Sequence, residues 1–285
     1  MTIVKYLNPR NDIVFKKIFG TEKNKDILIH FINDVIVESG QPKVKKVTLL
    51  NPHQFPDIAV QKQSVVDVLC EDQAGVQYIV EMQVAKVQGF EKRAQHYASR
   101  VYGGQAVKGG DYTALKEVIF LAITEYNMFP KKKGYKCTHW MLDKDTHERD
   151  LKDFSFTFIE LPKFKKKLKD LATFEDKWCY FFKHADEVDN IEELIKNSPE
   201  VIKKAYHALE AHNWTKEELR IYEERERIAT DQQSTLLAER MEGKAEGRTE
   251  EKIETAKNML SKKLDIKLIS EITGLSEAEI RKLKT

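Results

Sequence analysis

Two carboxylates and an amide stand inside apolar runs in the stretch VDVLCEDQAGVQYIVEMQ, residues 66–83. Asp67 lies in the first run, Glu81 in the second, and Gln83 two residues later. Strand side chains alternate between faces, so Glu81 and Gln83 share one face while Val80, Met82 and Val84 take the other. By the same alternation Asp67 is expected on the face opposite Val66 and Val68. A turn near Ala74 and Gly75 folds the two runs into a hairpin that carries Asp67 to the region of Glu81. Carboxylates so close repel unless a cation or a proton stands between them. A hard divalent ion such as Mg²⁺ resolves the conflict, taking oxygen ligands from one or two carboxylates, water and phosphate. That chemistry suits phosphodiester hydrolysis: the ion neutralises developing charge, activates a bound water and orients the scissile phosphate. Gln83 is able to position water or phosphate but not to act as a base. A plain antiparallel hairpin with one wet face accounts for the same alternation, and that alternative stays open.

The elements that must position these residues alternate between helix and strand. NDIVFKKIFG reads as a short helix stopped at Gly20, and EKNKDILIHFINDVI as a second with Ile27, Leu28, Phe31, Ile32 and Val35 at helical spacing. VKKVTLL, SVVDVLCED and VQYIVEMQV read as strands, followed by a helix from about Phe90 to Val107. EVIFLAIT, KCTHWML and FSFTFIEL complete the order α-α-β-β-β-α-β-β-β, a mixed sheet with helical cover. After Leu161 the chain is expected to be helical, with Trp178, Phe181 and Phe182 packing on the sheet.

From Thr215 the sequence is densely charged, and Thr215 with Glu218 predicts a capping box. Gly243 and Gly247 each weaken this helix by about 1 kcal/mol relative to alanine. A helix polar nearly all round is either solvated or stabilised by a partner. The ending LISEITGLSEAEIRKL sets a helix stop at Gly274 and a capped start at Ser276-x-x-Glu279. Two short amphipathic helices joined by TGLS resemble a helix-turn-helix fragment, in which Lys282 and Lys284 could meet phosphate. A full DNA-binding module needs a third helix, and a hairpin for oligomer or partner contact fits as well.

Composition sets outer bounds. The chain has 285 residues, 41% of them hydrophobic and 33% charged, enough for a sizeable core under a well-solvated surface. A net charge of +2 excludes a global basic field, so any nucleic-acid surface is a local patch. Candidates are Arg93, Tyr97 and Arg100 on one helical face, FPKKKGYK at 129–136, KFKKKLK at 163–169, and Lys16 with Lys17. His53, His96, His139 and His147 are scattered and form no H-x-x-x-H pair. Three widely spaced cysteines fit neither a zinc site nor a disulfide framework, which makes a reducing cytoplasm the expectation. No signal peptide and no membrane span is expected.

NDIVFKKIFG, DVLCED…G…YIVEMQ, FEKRAQHYASRVYGGQ and FIELPKF occur in an order that resembles the recombination-promoting nucleases, a transposase-like family of the PD-(D/E)XK superfamily. The resemblance covers roughly residues 8–185 and extends to the charged tail. It implies an α/β, restriction-endonuclease-like core at 1–165 with a mixed β-sheet flanked by helices. A helical extension at 166–212 and an all-helical C-terminal tail at 213–285 complete the expected organisation. It places Asp67 and Glu81 as catalytic metal ligands for Mg²⁺, Mn²⁺ or Ca²⁺, and Gln83 where lysine usually stands. Asp12 matches an acid sometimes found on the first helix of that fold, although a carboxylate also suits a helix start. The Pro56-Asp57 dipeptide is poorly spaced from Glu81 and is set aside. The implied activity is a DNA endonuclease leaving 3′-hydroxyl ends, with a role in recombination or in defence against phage. The alternative is a degenerate nuclease fold acting as an oligomerisation or regulatory module. Expected partners are DNA, further copies of the chain through the C-terminal helices, and a small inhibitor equivalent to the tail from Met241.

Overall fold

The computed structural model describes residues 5–37, 41–54, 64–185, 196 and 198–283. Pro56-Asp57 and Lys284 lie outside them, as does the side chain of His53. The chain divides into two compact units, residues 1–225 and 226–285.

In the first unit Asn11 caps α1 (Asp12–Phe19) by accepting the Ile13 N–H, and α2 spans Lys25–Val35. The strands are β1 (Val47–Leu49), β2 (His53–Gln54), β3 (Ser64–Val65), β4 (Val68–Asp72) and β5 (Gln77–Gln83), then, after helix α3 (Phe90–Gly104), β6 (Val118–Thr124), β7 (Lys136–Trp140) and β8 (Phe154–Glu160). Helices α4 (Phe174–His184) and α5 (Glu200–Leu209) follow. Six strands form one sheet in the order β1-β4-β5-β6-β8-β7, while β2 and β3 pair separately. β5, β6 and β8 run parallel, and β1 and β4 on one side and β7 on the other are antiparallel to their neighbours. This is the expected mixed sheet with helices on both faces.

Two expectations need correction. The run SVVDVLCED is not one strand: pairing stops after Val65 and resumes at Val68. Residues 163–173 are not α-helical either. They carry only short 3₁₀ turns, because the α4 start is fixed by the Thr173–Asp176 capping box.

At the β4–β5 turn, Asp72 Oδ1 accepts the N–H groups of Ala74 at 2.8 Å and Val76 at 3.0 Å. Gly75 sits at φ +84, a left-handed conformation that glycine adopts without steric cost. The turn therefore fixes the register that carries through to the far end of the hairpin.

Alternation along β5 sends Tyr78, Val80 and Met82 into a large core with α1, α2, α4 and α5, and Ile79 into a smaller one under α3. The larger core centres on Phe15, Phe19, Phe31, Trp178, Phe181 and Phe182, all fully buried. Ring centroids are 4.9 Å apart for Phe15–Phe19 and 5.4 Å for Phe31–Trp178, within the range of favourable aromatic contact. The indole of Trp178 donates to Asp34 Oδ2 at 2.8 Å, so its polar edge is satisfied inside the core.

In the second unit, α6 (Lys216–Ser261) enters from the first, and Gly243 and Gly247 lie inside it without ending it. α7 (Ile266–Thr273) stops at Gly274, whose φ is +70, and α8 (Glu277–Lys282) starts at the Ser276–Glu279 capping box. Ala256 of α6 is buried with Ile269, Leu275 and Ile280. The end of the charged helix thus supplies the third helix that the short hairpin lacks. No helix of the described residues is long and apolar enough to cross a membrane.

Truncating Phe182 to alanine removes a ring packed between α1, α2 and α4. A loss of about 3–5 kcal/mol is expected in urea unfolding. A loss below about 1 kcal/mol would show that this cluster does not hold the unit together.

Candidate active site

Continuing the β4–β5 register one step beyond the Val68–Val80 pair sets Asp67 against Glu81. There the side chains take over from the backbone. The Asp67 N–H donates to Glu81 Oε1 at 3.0 Å, and Asp67 Oδ2 accepts the Met82 N–H at 3.0 Å. Each carboxylate thereby fixes the strand that carries the other.

The strand break makes this exchange possible. The Val66 N–H turns away to Pro52 O at 3.1 Å, and Val66 packs under α3 while Val68 enters the opposite core. Val66 and Val68 therefore do not share a face, contrary to the simple alternation. The kink between them frees the Asp67 amide for Glu81.

Glu81 is 5% exposed. Burial, followed by the negative charge of Asp67, pushes its pKa up to about 8; the Asp67 N–H, Arg93 and Lys16 act in the opposite direction. Lys16 on α1 reaches across with Nζ 3.2 Å from Asp67 Oδ1. Backbone bonds thus occupy Asp67 Oδ2 and Glu81 Oε1, leaving the other oxygen of each acid outside them.

Gln83 ends β5 with both ends of its amide engaged. Nε2 donates to Ala85 O at 2.9 Å, and Oε1 accepts a hydrogen bond from Arg93 Nη2. The Arg93 guanidinium lies 4.7 Å from the Phe90 ring centre and 5.8 Å from that of Tyr97, a cation–π arrangement on α3. Its Nε is buried without a partner among the described residues. Burial raises the Tyr97 pKa, Arg93 lowers it, and Glu81 and Asp67 raise it, so the phenol lies within the field of the acid pair. Tyr126, which follows β6, is a residue that sequence reasoning missed. Its hydroxyl is buried without a partner among the described residues, with a pKa that burial pushes up to about 12 and Arg93 draws down. Only the fold, which ends β6 beside β5, brings it to Arg93.

Asp67, Glu81, Gln83, Arg93 and Tyr97 are brought together. Arg100 stands on the same helix about 10 Å further along its axis than Arg93. Asp12 opens α1, its Oδ1 accepting the Ile13 N–H at 2.9 Å, one turn before Lys16. Several lysines of the two basic clusters serve the scaffold: Lys136 bonds Glu175 at 2.6 Å, Lys166 bonds Asp176 at 2.7 Å, and Lys163 pairs with buried Glu160. Glu160, the acid of FIELPKF, holds the Phe129 N–H at 2.7 Å. These bonds hold the loops in place, and Lys132 of the first cluster also meets His139 at 2.9 Å.

Among the described residues no group of three or more His, Cys, Asp and Glu side chains gathers as a metal cluster. The pair itself fits a hard cation that completes its shell with water and phosphate: two acids held together, one buried at a cost to its charged form, each with an oxygen outside the backbone bonds.

The raised pKa of Glu81 has a stability consequence. Its folded value lies above its unfolded one, so between about pH 4.5 and pH 8 the folded chain binds more protons, and stability falls as pH rises through that window. In EDTA, Glu81→Gln is expected to flatten this fall and to raise the thermal midpoint near pH 8.5, because the amide oxygen still accepts the Asp67 N–H. Superimposable pH profiles for the two proteins would refute it.

Residues 9–239 match the model of the PD-(D/E)XK nuclease family transposases. Residues 249–285 match that of the Rpn/YhgA-like nuclease family, C-terminal HTH domain, which covers the end of α6 with α7 and α8. No curated protein and no solved structure matches the chain. The mixed six-stranded sheet with its flanking helices agrees with a family match over most of the sequence, and the chain belongs to the PD-(D/E)XK nuclease family transposases.

Proposed function

We propose that the protein is a divalent-metal-dependent DNA endonuclease. The observation that carries this reading is the reciprocal tie between Asp67 and Glu81, which holds two repelling carboxylates together where an apolar pair would cost less. Asp67 and Glu81 would hold Mg²⁺, or Mn²⁺ or Ca²⁺ in its place. Bound there, the ion supplies charge neutralisation at the phosphate and a water of lowered pKa. Hydrolysis forms a bond from the water oxygen to phosphorus and breaks the bond to O3′. The proton count closes with a 3′-hydroxyl on one product and a 5′-phosphate on the other.

The chain's own residues set the substrate. Arg93 and Tyr97 face the pair from α3, and Arg100 extends the same face along a strand of phosphates. Gln83 acts through Arg93, fixing the guanidinium with its amide oxygen. The three-helix unit at the C-terminus adds a second contact to DNA, as its helix-turn-helix match suggests. Exposed Leu236, Leu237 and Met241 on α6 and Leu268 and Ile272 on α7 favour self-association through the tail. A separately made tail from about Met241 would compete for that association and act as an inhibitor. Cleavage of incoming or chromosomal DNA in the cytoplasm would promote recombination or restrict phage.

Plasmid incubated with wild type and Mg²⁺ is expected to be nicked or linearised, and EDTA is expected to stop the reaction. Asp67→Ala and Glu81→Ala should each slow it by at least about 100-fold, the scale of losing a group that stabilises transition-state charge. Absence of cutting with every divalent ion tried would favour a degenerate fold that only binds. Cutting that survives Asp67→Ala would place the chemistry elsewhere.

A further inference from the structure

Among the described residues, Lys16 is the lysine that pairs with the acids. Its Nζ stands 3.2 Å from Asp67 Oδ1, the Asp67 oxygen that the backbone does not engage. An ammonium has three donors, and one directed at Asp67 leaves two for another acceptor. The side chain is 43% exposed while Asp67 is 16% exposed, so the lysine stays accessible to solvent where it pairs with the more buried acid.

Its neighbour on α1 is committed elsewhere. Lys17 pairs with Glu218 at 2.7 Å and lies 3.8 Å from the Trp214 ring centre. Arg93, on the opposite side of the acids, is tied to Gln83 and the Phe90 face. A phosphodiester approaching two carboxylates meets like charge, and a positioned cation beside them is what makes that approach favourable. The ammonium is held in place by Asp67 rather than by its own flexible stem, which reduces the entropy lost when a phosphate oxygen takes the remaining donors.

We propose that Lys16 is a substrate-contacting residue, its Asp67-anchored ammonium receiving a non-bridging oxygen of the DNA phosphate from the α1 side of the site. The inference rests on the phosphodiester reading of the same pair. It assigns α1 a part in holding substrate, and it makes the α1 side and the α3 side two jaws of one phosphate clamp.

The test uses the full chain in a Glu81→Gln background with EDTA, which disables cutting and keeps the Asp67 anchor. Affinity for a fluorescent DNA duplex is measured by anisotropy across a series of KCl concentrations. Loss of one phosphate contact lowers the slope of log affinity against log salt by about 0.9. Adding Lys16→Met is expected to produce that drop, Lys16→Arg to keep the original slope, and Lys17→Met to leave it unchanged. An unaltered slope with Lys16→Met, or an equal drop with Lys17→Met, would overturn the proposal. With Glu81 intact and Mg²⁺ present, Lys16→Met should also slow single-turnover cleavage by on the order of 100-fold. If the wild type cuts nothing while the slope still responds to Lys16, the nuclease reading fails and the phosphate contact stands. If the wild type cuts and the slope ignores Lys16, the reverse holds.

Discussion

Everything at this site depends on holding one carboxylate dry beside another. Glu81 is buried on a central strand, where its charge is disfavoured by lost solvation and again by Asp67. Such a pair persists only if the surrounding structure fixes it, and here the backbone does so. Asp67 takes the N–H of Met82 and Glu81 takes the N–H of Asp67, so separating the acids means breaking both bonds that extend the β4–β5 pairing past Val68 and Val80. Local instability is stored at the acid pair, and the cores on both faces of the sheet supply the stability that sustains it.

The helices serve this constraint from opposite sides. α3 follows β5 directly and turns Arg93 back over Gln83, so the end of the strand and the start of the helix act as one rigid corner. α1 belongs to the aromatic core and brings Lys16 to Asp67 from the other flank. Its position is secured by chain far away in sequence. Leu7 N–H bonds Leu209 O at 2.8 Å, the Tyr222 hydroxyl accepts the Asn8 N–H at 3.3 Å, and Lys17 pairs with Glu218 at the first turn of α6. The root of the long helix is thereby part of the scaffold that aims α1.

Most of the architecture was legible in the sequence because it is written in local periodicities. The alternation in YIVEMQ, the helical spacing in NDIVFKKIFG and the Ser276–Glu279 capping box each specify an element through neighbours within a few residues. The break at Val66–Asp67 was not legible, since alternation continues through it; the Pro52 carbonyl that draws the Val66 N–H away comes from a distant loop. Nor was the third helix of the C-terminal unit, because Ile253, Ala256 and Leu260 form a sparse stripe in a charged run and become a core only against α7 and α8. The lysine clusters misled in the opposite direction, since counting charge does not reveal which ammonium groups are spent on buried Glu160 and Asp176.

The sequence by itself determined the hairpin, the residues that face one another across it and the chemical kind of its acid pair, because side-chain period and turn chemistry are local properties. The tertiary structure alone decided that Glu81 is dry, that Asp67 and Glu81 hold each other through backbone N–H groups, and that Lys16 rather than Lys17 turns to the acids. Burial and charge contact depend on which surfaces meet in three dimensions, and neither is encoded in the spacing of residues along the chain.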